Sequence, residues 1–85
     1  MERGDIVKVK TRTNKDVIGV VTYFDNKKIV FNTYFYQNKL SMRPGAAYGY
    51  TIMHLEPIDE LIFKNALLSE GYSYDVETKT IIHEL

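Results

Sequence analysis

Twenty residues, Val17–Tyr36 (VIGVVTYFDNKKIVFNTYFY), constrain what this chain can fold into more than any other stretch. They read as two strands joined at Asp25-Asn26-Lys27-Lys28. Both are dense in the β-branched and aromatic side chains that fill a pleated, half-buried surface. In the second strand Ile29, Phe31, Thr33 and Phe35 share one face by the two-residue period, while Val30, Asn32, Tyr34 and Tyr36 share the other. That alternation sends a mainly apolar row inward and a tyrosine-bearing row outward. The first strand is apolar on both parities, as expected of a strand covered on both faces or curled into a small barrel. Gly19 within it marks a bend, a bulge or a close backbone approach.

The flanking segments extend the pattern. After the Gly4-Asp5 turn, Ile6–Arg12 forms a strand with Val7, Val9 and Thr11 on one side and Lys8, Lys10 and Arg12 on the other. Thr13-Asn14-Lys15-Asp16 is a polar turn into the hairpin. Gln37–Gly49 contains Arg43-Pro44-Gly45 and a second glycine, so it reads as a long irregular loop in which Leu40 and Met42 support only a short strand. Tyr50–Leu55 returns to a strand.

Pro57 in a first turn, Asp59 and Glu60 near the positive end of the dipole, and Gly71 as a stop delimit a helix over 57–70. Its apolar residues, Ile58, Leu61, Ile62, Phe63, Ala66, Leu67 and Leu68, cover more than one stripe, so contacts on two sides are expected. Tyr72, Tyr74 and Val76 alternate before a turn near Glu77, and Thr80-Ile81-Ile82 completes a small hairpin. The expected architecture is mainly β (α+β). A five-stranded small barrel occupies residues 1–56, and a helix plus short β-hairpin over 57–85 packs on it within a single domain. Val7, Val9, Val21, Phe31 and Phe35 are the expected core, with Leu61 and Leu68 partly buried.

Gly19-Val-Val-Thr-Tyr-Phe24-Asp25, followed by Ile29-Val-Phe31 and Asn32-Thr33, resembles the first motif of the Sm-like family, including its bacterial Hfq branch. The resemblance covers roughly residues 6–33 and implies that the small barrel is SH3-like or Sm-like. Ile29 stands where Sm proteins of the eukaryotic and archaeal type carry Asn, and Lys27 where Hfq-like proteins carry a stacking aromatic; the second Hfq motif has no good counterpart. The C-terminal Glu70-Gly71-Tyr72-Ser-Tyr74-Asp75 region resembles the endings of small accessory proteins of phages and mobile elements, which implies a host cytoplasm as the setting.

Composition narrows the function classes. The 85 residues contain no cysteine, which removes disulfides and thiolate metal sites, and the longest apolar run is too short to span a membrane. Met-Glu-Arg-Gly-Asp does not read as a signal peptide, so a cytoplasmic protein is expected. His54 and His83 lie in strands without a Ser, Cys or acid at a recognised spacing, and no phosphate loop or nucleophile elbow is present. No catalytic residue, cofactor or metal ligand is therefore expected.

Charge is unevenly placed despite a formal net of zero. Nine basic residues face four acidic ones through Tyr50, and two face seven from Thr51 onward. That split suits a basic binding face with an acidic appendage, or subunits docked head to tail. Lys8, Lys10 and Arg12, the hairpin-tip pair Lys27 and Lys28, the tyrosines Tyr34 and Tyr36, and Lys39 and Arg43 are the candidate binding residues. Cations following phosphates beside aromatics that stack on bases suit single-stranded nucleic acid. The alternative is an effector or inhibitor that occupies a host protein, since tyrosine-rich surfaces also favour protein contacts. The wide apolar helix surface and the thin stability of so short a chain favour a homo-oligomer.

Overall fold

The computed structural model describes residues 1–84. The hairpin is present as β2 (Asp16–Phe24) and β3 (Lys28–Tyr36), with β1 (Ile6–Lys10) antiparallel to β2. Asp25 builds the turn between β2 and β3. Its carboxylate accepts the Lys27 and Lys28 amides, both at 2.8 Å, and the Tyr23 hydroxyl at 2.9 Å. Gly19 is a close backbone approach, as its sequence context suggests. A Cβ there would lie 2.7 Å from the Phe31 ring and 2.8 Å from the Thr33 carbonyl oxygen.

The supposed loop after Tyr36 is mostly strand. β4 (Lys39–Ser41) and β5 (Gly45–Tyr48) run along the same edge of β3, with Ser41 opposite Tyr34 and Gly45 opposite Phe31. They are two halves of one strand interrupted at Met42-Arg43-Pro44. Proline lacks an N–H but is tolerated on an edge or at a break, so Pro44-Gly45 interrupts the ladder without ending it. β6 (Thr51–Met53) then pairs with β1, giving the order β4-β3-β2-β1-β6 with β5 also on β3.

The sheet curls but does not close, which corrects the expected barrel. Closure needs a hydrogen-bonded ladder running all the way round, and β5 does not pair with β6. Instead the joint between them is pinned to the β2–β3 turn. Gly49 N–H donates to the Lys27 carbonyl at 2.9 Å, and the Tyr50 hydroxyl to the Asp25 carbonyl at 2.6 Å.

Two cores lie on opposite sides of this sheet. The concave side holds Val9, Val17, Val21, Ile29, Phe31 and Ala47, with Val7, Tyr34, Tyr36 and Tyr50 packed against them. The other side holds Ile18 and Val20 together with Phe63 and Leu67 of α1 (Pro57–Ser69). β3 contributes to both because its register with β2 slips at Asn32, which has no partner between the Val20–Thr33 and Val21–Phe31 pairs. Ile29 and Phe31 therefore share the concave core with Tyr34 and Tyr36, whereas Phe35 joins the helix side. The strict odd-even assignment along this strand fails at that bulge.

Helix α1 ends at Ser69, and Gly71 with φ 84° takes the left-handed stop position. The hairpin β7 (Tyr72–Asp75) and β8 (Thr80–His83) packs beside it, and the Tyr74 hydroxyl donates to the Gly4 carbonyl at 2.6 Å. Val9, Val21 and Phe31 are buried as expected, while Val7 and Phe35 are half-buried. Leu61 and Leu68 are 52% and 59% exposed, against expectation. At about 100° per residue, the Phe63–Leu67 stripe meets the sheet and theirs points away.

Candidate nucleic-acid interface

The nine candidate residues do not share one surface. Lys8 lies on the helix side, where its ammonium bonds the Asp59 carboxylate at 3.1 Å and 3.2 Å. Both side chains of this pair are about seven-eighths covered, at 15% and 14% exposure. Asp59 also accepts the Glu56 amide at 3.0 Å. Partial burial pushes its carboxyl up, but the Glu56 amide and the Lys8 ammonium outweigh that and hold it below the ordinary carboxylate value. Lys10 pairs with Asp16 at 3.0 Å, its cross-strand partner. A groove beside these lysines also contains Asp16 and Asp59, so its charge is largely compensated.

Arg12 is separated from both. It lies beyond the end of β1, and its aliphatic stem approaches Gly49 in the β5–β6 joint. There it borders an open depression of about 300 Å³ between the β1–β2 turn, the end of β3 and β5. The buried residues Val17 and Phe31 form its bottom, Tyr34 and Tyr36 one wall, and Tyr48 part of the rim. The same two tyrosines line a second depression of about 520 Å³, which Lys39, Met42 and Arg43 complete. Neither depression is lined by an aspartate or glutamate. Among the described residues Arg12, Lys39 and Arg43 have no carboxylate partner.

The tyrosines here differ from three of the four elsewhere, Tyr72 being the exception. Tyr23, Tyr50 and Tyr74 each donate a hydroxyl hydrogen bond, to Asp25 or to a backbone carbonyl. Tyr34, Tyr36 and Tyr48 make no such bond among the described residues. Tyr34 is nevertheless held in place. Its ring lies 6.3 Å from that of Phe31 at a tilt of 43°, and it rests so close to Gly45 that a Cβ there would collide with it.

Lys28 extends the surface toward the hairpin tip. Its ammonium lies 5.6 Å from the centre of the Tyr23 ring and 6.0 Å from that of Tyr48. Lys27 is exposed at the tip, and the nearby Asp25 is committed to the turn. The Lys28 and Lys27 amides and the Tyr23 hydroxyl lower its pKa.

Two parts of this site escape the sequence patterns. Tyr48 falls in the stretch that reads as a loop; the small-small-aromatic run Gly45-Ala46-Ala47-Tyr48 was the available signal for an edge strand. Gly45 matters through its contact with Tyr34, eleven residues away in sequence, which no local pattern encodes. The histidines lie apart from these depressions: His54 is exposed beside Glu56, and His83 stacks on Tyr72 at 4.7 Å. Among the described residues, no group of three or more His, Cys, Asp or Glu side chains could hold a metal ion, and no helix is long and apolar enough to cross a membrane. Comparison with protein-family models, curated proteins and solved structures finds no match for this chain.

Proposed function

We propose that this protein is a non-catalytic module that binds single-stranded nucleic acid on the acid-free surface around Tyr34 and Tyr36. The observation that carries this reading is the pair of depressions sharing one tyrosine wall, bordered by Arg12 on one side and Lys39 and Arg43 on the other. Such a surface offers both parts of single-strand recognition: aromatic faces for bases and unpaired cations for phosphates. The site is concave and has no protruding helix or ribbon to enter a duplex groove, which favours a single strand. Lys28 continues the cationic path over Tyr48 and Tyr23, and Lys27 is exposed beside it at the hairpin tip. Lys8 and Lys10 belong to the fold's own ion pairs and are not part of this surface.

The test is titration of fluorescent thymidine and uridine decamers at several salt concentrations, followed by anisotropy. Saturable binding that weakens with salt supports the reading. No anisotropy change for either oligomer at low salt would refute it.

A second surface supports the alternative of protein contact. Ile58, Leu61, Ile62 and Leu68 form an exposed apolar stripe along the outer side of α1. Contiguous apolar patches of this kind mark interaction sites. A second copy of the chain is the occupant we assign to it, because burying this stripe adds the apolar area that so small a domain lacks. Sedimentation over a wide concentration range tests that assignment, and a monomer throughout would remove it.

A further inference from the structure

We infer that Tyr34 and Tyr36 partition the bound strand, placing one base in each depression and unstacking the step between them. This rests on the single-strand reading above and adds a defined unit, a dinucleotide step, to it. Both tyrosines line both depressions, so any chain crossing from one to the other must pass over or around them. They cannot easily fold away, because both are half-buried and packed against the concave core. Phe31 flanks the Tyr34 ring, and the bare backbone of Gly45 lies against its edge.

Two neighbouring bases on opposite sides of such a wall cannot stack on each other. Each instead stacks on a tyrosine or fills its own hollow, exchanging base–base contact for base–aromatic contact. The guanidinium groups are divided in the same way, Arg12 at one depression and Arg43 with Lys39 at the other. Phosphates on either side of the step thus meet cations without an intervening carboxylate. Thr11 and Thr13 line the first hollow and Gln37 and Ser41 the second. The Thr11 and Thr13 hydroxyls bond each other at 3.1 Å, Thr11 also accepts the Lys15 amide and Ser41 the Arg43 amide, and the capacity left on these groups and on Gln37 lets both hollows tolerate different base edges.

Competition against a fluorescent thymidine decamer tests this. The competitors are thymidine mononucleotide, dinucleotide and trinucleotide, the dinucleotide with either base removed, and the uridine counterparts. The dinucleotide should compete at least fivefold better than the mononucleotide, and the third nucleotide should add less than the second. Loss of either base should return the dinucleotide to mononucleotide strength. Similar results for the uridine series mean that the step is recognised in DNA and RNA alike; a preference for one series identifies its source. Tyr34→Leu keeps the apolar bulk on the core, so it should fold and should erase the dinucleotide advantage. Equal competition by mono- and dinucleotide, or a Tyr34→Leu protein that keeps the advantage, overturns the partition while leaving decamer binding intact. Failure of the decamer itself to bind overturns both readings.

Discussion

Replacing Arg12, Lys39 and Arg43 together by glutamine removes the three cations that border the two depressions without a carboxylate partner. Each phosphate neutralised on a single strand contributes about −0.7 to the slope of log affinity against log salt, so the triple variant should lose about 2 units of slope. Between 50 and 200 mM salt, a fourfold change, that difference amounts to about a 20-fold smaller loss of affinity. None of the three side chains is in a salt bridge among the described residues, so the fold should be retained. Anisotropy titrations of a labelled decamer at five salt concentrations measure the slope, and circular dichroism checks the fold. Lys10→Gln with Lys15→Gln is the control, because those lysines lie in the groove that Asp16 and Asp59 compensate. An unchanged slope in the triple variant, or an equal drop in the control, would refute the assignment of the cationic surface.

Further outcomes follow from single contacts. Gly45→Ala should push the Tyr34 ring off its packing against Phe31, weakening decamer binding severalfold and lowering thermal stability; unchanged affinity would show that the wall is not positioned by this contact. Lys8→Met removes the largely covered partner of Asp59 and should cost about 1–2 kcal/mol in urea unfolding without altering the affinity of the folded protein. Asp5, held down by Lys79 against partial burial, and Asp59 both have lowered pKa values. Their contribution to stability is present above the unfolded-state carboxylate value and is lost as the pH falls below it through the folded values. Asp59→Asn should therefore flatten the acid limb of a stability–pH curve, and an unaltered limb would contradict the Asp59 assignment. Leu61→Glu with Leu68→Glu should abolish self-association in sedimentation while leaving unfolding nearly unchanged, since both side chains are mainly exposed.

Much of the fold is legible in the sequence because local patterns encode it. The Val17–Tyr36 hairpin, the helix bounded by Pro57 and Gly71, and the final hairpin all follow from period, turn chemistry and stop signals. β5 is harder to see, because Pro44-Gly45 interrupts a strand on an edge where an interruption is tolerated. Which face of the sheet a residue occupies is harder still. Lys8 and Arg12 share a parity, yet Lys8 meets the helix and Arg12 turns toward the first depression once β1 has ended at Lys10. Tyr34 and Tyr36 join the concave core only because the register slips at Asn32. A bulge is invisible to a pattern that assumes an unbroken two-residue period. The aromatic and basic composition of the site is thus readable from sequence, whereas its division into a fold-stabilising half and an open half depends on tertiary contacts.

The most direct test of the central claim is amide chemical-shift mapping of the isotope-labelled protein titrated with an unlabelled thymidine decamer. The largest shifts should cluster at Thr11–Thr13, Tyr34–Gln37, Lys39–Arg43 and Gly45–Tyr48, with Lys8, α1 and the β7–β8 hairpin nearly unmoved. Shifts centred on the helix or on Lys8 and Lys10, or no shifts at saturating oligonucleotide, would contradict the account.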